Sequence, residues 1–116
     1  MNFELLKTLC ELNGTSGDEK QVRDFIISHL PEDCEYTIDP IGNLIVNKKG
    51  ENTPENKVAL FAHMDEVGFI VTYIHENGFV NVANVGGIDN SALFGKKITV
   101  NGIEYELRGE QYYPLL

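Results

Sequence analysis

The stretch VALFAHMDEVGFIV, residues 58–71, constrains the fold of this chain more than any other segment. It begins with an unbroken apolar run, residues 58–62, in which β-branched and aromatic side chains do not alternate with polar ones. Such a run predicts a strand buried on both faces, as in a parallel sheet covered by helices. His63, Asp65 and Glu66 follow at once, and open α/β sheets bind their ligands at the carboxyl ends of the strands. We therefore expect catalytic or metal-binding side chains, if the chain has them, to lie at this point.

The acidic balance of the chain limits its partners. Its 116 residues carry a formal net charge of −9, which argues against nucleic-acid binding because phosphate contacts depend on clustered Lys and Arg.

Apolar runs stay well short of the ~20 residues that a membrane helix needs, so no membrane partner is expected. Cys10 and Cys34 form no CxxC pair and predict reduced thiols in a cytoplasmic protein.

Two helices are predicted before the central stretch. Residues 2–12 repeat apolar side chains at helical spacing and stop at Asn13-Gly14. Ser16, followed three residues later by Glu19, predicts a capping box for a second helix, which Pro31 closes. The predicted buried face of this helix is Val22, Phe25, Ile26 and Leu30.

Three antiparallel pairs of strands are predicted, each around a turn that contains glycine. Their strands are residues 36–39 with 44–47, 69–75 with 79–85, and 98–100 with 103–107. Residues 48–56 contain no apolar side chain and predict an exposed loop. The chain thus divides into an α/β part, residues 1–67, and a β-rich part, residues 68–116.

His63 and Asp65 are candidates for a metal site. Side chains two residues apart on an extended backbone share a face, an imidazole can bind Zn, Co or Mn, and a carboxylate can orient it. A His-x-Asp pair alone is also typical of a simple turn. A metal site needs about three or four protein ligands, whereas His29 suits a helix end and His75 precedes a turn.

Four segments in this order resemble the start of a known enzyme family: GTSGDEKQVRDFI (14–26), DPIGNLIVNKKG (39–50), the central stretch (58–71) and NVGGID (84–89). The family is that of the cytosolic dinuclear metallo-aminopeptidases, which includes glutamyl and tetrahedral aminopeptidases, some of them labelled endoglucanases. The resemblance implies an α/β fold class. Residues 1–67 would be the N-terminal part of a metallopeptidase α/β sandwich, and residues 68–116 part of a β-rich, barrel-like insert for oligomerisation.

The same resemblance implies roles for two residues. His63 matches a histidine that binds one of two divalent ions, Zn or Co, and Asp65 matches a catalytic-site aspartate that orients this histidine without binding metal itself. The implied substrates are peptides with a free N-terminus, and the implied partner is a second copy of the chain. The family's other metal ligands and its general base have no match before residue 116, so we expect this chain to be inactive alone.

Two alternatives remain open from the sequence. In one, the chain is a non-catalytic oligomerisation or binding module derived from the family, and His63 is a relic. In the other, it is an independent metalloenzyme whose site is completed by His29 or His75. The final residues, EQYYPLL, do not resemble the family's continuation.

Overall fold

The computed structural model describes residues 2–52, 55–108 and 111–114. They form a small α/β structure with two short helices and two antiparallel sheets. The chain divides into two compact units, Met1–Asp65 and Glu66–Leu116. Among the described residues no helix is long and apolar enough to cross a membrane.

Both predicted helices are present in the first unit. Helix α1, Phe3–Glu11, begins after Asn2, whose side-chain oxygen accepts a hydrogen bond from the Leu5 N–H at 3.2 Å. Helix α2, Lys20–Ser28, buries Val22 as predicted, while Phe25, Ile26 and Leu30 are half-buried. These faces follow from the helical spacing of the apolar residues.

The predicted capping box at the start of α2 is wrong. Glu19 itself occupies the N-cap position, and no side chain caps the helix there. The Glu19 carboxylate instead accepts a hydrogen bond from the Gly17 N–H at 2.6 Å, which stabilises the loop before the helix. The Glu19 carboxylate therefore binds the loop backbone and does not cap the helix.

The first predicted strand pair is confirmed as β1, Cys34–Ile38, and β2, Leu44–Lys48. Asp39 organises the turn between them, because its carboxylate accepts hydrogen bonds from the backbone N–H groups of Ile41 and Asn43. The Asn43 side-chain amide donates to the same carboxylate at 2.8 Å, so Asn43 also stabilises the turn. Cys10 and Cys34 are free thiols.

The predicted buried strand at residues 58–62 is wrong. These residues form neither strand nor helix, and Val58, Leu60 and Phe61 expose 87%, 94% and 93% of their surface. A strand needs a neighbouring strand to pair with its backbone N–H and C=O groups. The sheet of this unit is formed by β1 and β2 and does not include residues 58–62. Every strand pair in the described chain is antiparallel, so the predicted parallel sheet is absent from it.

The second unit is a five-stranded antiparallel sheet in the order β3-β4-β7-β6-β5. Its strands are β3, Gly68–Ile74; β4, Val80–Val85; β5, Lys97–Val100; β6, Ile103–Arg108; and β7, Gln111–Pro114. The hairpins β3–β4 and β5–β6 confirm the sequence prediction, whereas β7 was not predicted. Among the residues of this unit whose burial is described, Val80 and Leu107 are the buried apolar ones, exposed by only 4% and 1%.

Turn residues explain why the β5–β6 hairpin forms where it was predicted. Asn101 and Gly102 have φ angles of 48° and 81°, and a two-residue type I′ turn requires positive φ at both positions. Such turns match the right-handed twist of the strands on either side. The Asn-Gly pair is thus sufficient to locate this hairpin.

Candidate metal centre

His63 and Asp65 form a hydrogen-bonded pair in the first unit. The His63 Nδ1 atom lies 2.9 Å from the Asp65 backbone oxygen and 3.1 Å from its carboxylate Oδ1. Both neighbours are hydrogen-bond acceptors, so Nδ1 carries the proton and donates it. In the neutral ring Nε2 then keeps its lone pair, which is the form that binds a metal ion.

An irregular backbone segment, not a strand, brings the two side chains together. Residues 61–65 have no regular secondary structure. The His63 imidazole contacts the backbone and the side chain of Asp65, two residues later in the chain. The His63 side chain is 85% exposed and that of Asp65 is 41% exposed. The ring therefore combines an accessible Nε2 with an orientation set through Nδ1.

The other two histidines have structural partners. His29 caps the end of α2: its Nδ1 lies 2.9 Å from the Phe25 carbonyl oxygen and its ring stacks on that of Phe25 at 4.2 Å. In the second unit the Nε2 atom of His75 lies 3.1 Å from Asn81 Oδ1, and its ring contacts Tyr73 edge-on. The helix-end position of His29 and the position of His75 before a turn are confirmed, although His75 is half-buried and not solvent-facing. Among the described residues neither lies in a group of three or more metal-binding side chains.

Two exposed carboxylates have low pKa values for local reasons. The Asn43 side-chain amide lowers the pKa of Asp39 below its ordinary value, and backbone N–H groups add to this effect. The Ser91 hydroxyl and N–H lower the pKa of Asp89, whose Oδ1 atom accepts both hydrogen bonds. Asp89 thus caps a short 3₁₀ turn, Asn90–Ala92, and both carboxylates serve turns.

The described residues supply one ligand of a metal centre and not a complete set of ligands. Residues 2–52, 55–108 and 111–114 contain no group of three or more His, Cys, Asp or Glu side chains that could hold a metal ion. His63 offers one nitrogen, whereas a stable protein site for Zn takes about three or four ligands. Completion of the site by His29, which lies in the same unit as His63, finds no support in this geometry.

Comparison with known proteins decides the family. A sequence model described as M42 glutamyl aminopeptidase matches residues 42–111, a range that contains both His63 and Asp65. This chain belongs to the M42 family. The resemblance inferred from the sequence is thereby confirmed, and M42 membership implies a dependence on divalent metal ions.

Individual M42 relatives match most of this chain. FrvX of Escherichia coli, a protein with an aminopeptidase name, is 45% identical over 102 residues, or 86% of the chain. A Thermotoga maritima structure titled endoglucanase superimposes on 93% of the chain with a TM-score of 0.81 and 37% identity. The Pyrococcus horikoshii TET1 peptidase, which can assemble into a tetrahedron or a large octahedral shell, superimposes on 92% with a TM-score of 0.75 and 34% identity.

The chain corresponds to only part of these M42 proteins. It spans 28% of FrvX, 37% of the Thermotoga chain and 33% of the TET1 chain. The α/β structure with few helices and antiparallel sheets agrees with the two solved structures over this part.

Proposed function

We propose that this chain supplies one corner of the divalent-metal site of an aminopeptidase that removes N-terminal residues from peptides. The observation that carries the proposal is the His63–Asp65 pair, in which Asp65 accepts the Nδ1 proton and leaves Nε2 as a ligand. The M42 match supports it because the matched residues include this pair. Zn and Co are the proposed metals.

In this proposal Asp65 acts through His63. A carboxylate that accepts the Nδ1 proton fixes the tautomer and orientation of the ring and raises the basicity of the ligating nitrogen. Asp65 is less exposed than His63, so water competes less strongly for its carboxylate. His63 is thus the proposed metal ligand, and Asp65 is the residue that positions it.

The chain alone is proposed to lack aminopeptidase activity. A single ligand among the described residues does not hold a catalytic metal ion. The alternative function, a non-catalytic binding or oligomerisation module, is not favoured, because the relatives carry aminopeptidase names.

The β-rich unit is proposed to be part of a barrel-like insert, with residues 1–67 belonging to the α/β catalytic domain and residues 68–116 to the insert. We propose that the insert takes part in homo-oligomerisation. Self-assembly of the TET1 peptidase supports this proposal. The cytoplasmic location inferred from Cys10 and Cys34 stays a prediction.

A titration with Zn²⁺ tests the metal site. We expect Zn²⁺ in excess to shift the imidazole NMR signals of His63, and His63→Ala to remove those signals and the associated binding. His29→Gln is the matched control, because His29 is exposed but caps a helix, and it should leave the His63 response unchanged. An unchanged His63 spectrum at excess Zn²⁺ would contradict the proposed site.

An assay with an aminoacyl anilide tests the activity of the chain by itself. We expect no hydrolysis above the rate of buffer with Zn²⁺ or Co²⁺. Hydrolysis by the wild-type chain that His63→Ala abolishes would show that the chain holds a complete catalytic site and would overturn this part of the proposal.

A further inference from the structure

Gly14 lies in the loop between α1 and α2, at a position with no room for a side chain. A Cβ atom built on it would lie 2.9 Å from Val22 Cγ2 and 3.1 Å from the Met64 backbone oxygen. Gly14 is buried, and its φ angle is not among the positive ones. Space, and not backbone conformation, therefore requires glycine here.

The two atoms that confine Gly14 belong to very different parts of the first unit. Val22 is the buried apolar residue of α2, exposed by 8%. Met64 stands between His63 and Asp65, and its carbonyl oxygen is backbone, which cannot rotate away as a side chain can. A Cβ atom added at Gly14 would therefore press on the Val22 side chain on one side and on the Met64 peptide on the other.

We propose that Gly14 is a positioning residue for the His63–Asp65 pair, which rests on the proposed function of that pair. By allowing the α1–α2 loop to lie directly against the Met64 carbonyl, Gly14 sets the backbone between the two site residues. Both acceptors of the His63 Nδ1 proton belong to Asp65, the residue that follows this peptide.

The geometry of the pair makes it sensitive to a small displacement. Contacts of 2.9 and 3.1 Å at an added Cβ require neighbouring atoms to move by a few tenths of an ångström. The Nδ1–Oδ1 distance is already 3.1 Å, close to the upper end of the usual N–H···O range at about 3.2 Å, and hydrogen bonds also weaken steeply when their angle is distorted. Movement of the Met64 peptide would therefore weaken the hydrogen bonds that select the Nδ1–H tautomer.

The test measures the tautomer of His63 directly, without metal. The ¹⁵N chemical shifts of the His63 ring at one alkaline pH should report a predominantly Nδ1–H ring in the wild-type chain. We expect Gly14→Ala to move these shifts most of the way to those of the urea-denatured chain. Gly50→Ala is the matched control, because the nearest atom to its Cβ would lie at 3.4 Å, and it should retain the wild-type shifts.

A double variant separates the two contacts of Gly14 and serves if Gly14→Ala alone does not fold. Val22→Ala removes the Cγ2 atom and leaves the Met64 contact in place, so we expect Gly14→Ala/Val22→Ala to keep the altered tautomer. Wild-type ring shifts in either the single or the double variant would overturn the proposal. Because no metal is used, a failed Zn²⁺ titration would remove the proposed function and leave this result independent.

Discussion

His63 donates its Nδ1 proton to Asp65, two residues ahead in the chain, and reaches both the backbone oxygen at 2.9 Å and Oδ1 at 3.1 Å. The backbone acceptor would survive any change of the Asp65 side chain, whereas the carboxylate supplies the charge. The pair can therefore be dissected by substitution.

Asp65→Ala should weaken the binding of Zn²⁺ to His63 by about tenfold or more, since the loss of a carboxylate behind a metal-binding histidine typically costs 10–100-fold in metal affinity. Asp65→Asn should lose less, because its amide oxygen can still accept the Nδ1 proton. The measurement is the Zn²⁺ concentration at half-maximal shift of the His63 ring signals. Equal affinity in all three chains would show that the carboxylate plays no part in orienting His63.

Acid should loosen the β1–β2 turn through Asp39. The Asn43 side chain and nearby N–H groups hold the pKa of Asp39 below its ordinary value of 3.8. A carboxyl group with a lowered folded pKa contributes stability above its unfolded pKa, and this contribution is lost as the pH falls through the folded pKa. The turn should thus be intact above pH 3.8 and weaken progressively below it.

The amide shifts of Ile41 and Asn43 measure this transition. Asp39→Asn removes the ionisable group and should abolish the acid-dependent change, while Asp33→Asn, at an exposed position outside the turn, should preserve it. A transition of the same size in the Asp39→Asn chain would contradict the assignment.

Leu107→Ala should destabilise the β-rich unit by about 2–5 kcal/mol, because removing a buried leucine side chain loses transfer free energy and leaves a cavity. Leu107 is 1% exposed on β6. Ile103, on the same strand but 53% exposed, is the matched control, and its replacement by Ala should cost about 1 kcal/mol or less. Urea unfolding measures both values, and equal losses would contradict the core placement of Leu107.

Leu60→Asp should leave the stability of the chain within about 0.5 kcal/mol of wild type, as expected for an exposed side chain. The same substitution at buried Val22 should cost several kcal/mol, because a carboxylate would be removed from water without a partner. Thermal unfolding of the two variants compares them. A large loss for Leu60→Asp would restore the predicted buried strand at residues 58–62.

Local interactions explain what was predicted correctly. Helical spacing placed α1 and α2, and the turn residues Asn101 and Gly102 placed the β5–β6 hairpin, because their hydrogen bonds and φ angles involve neighbouring residues. The family was also evident from the sequence, since motifs in fixed order need no structure to be recognised.

The apolar run at residues 58–62 and the pair that follows it show where the sequence stops being sufficient. The composition of the run suits a strand, but a strand forms only where a neighbouring strand can pair with it. The sheet of this unit is formed by β1 and β2 and does not include residues 58–62. The sequence named His63 and Asp65. Only the tertiary structure decided that an irregular segment joins them through a hydrogen bond and that Gly14 abuts the peptide between them, because the contact of Gly14 with Met64 spans fifty residues and leaves no local pattern.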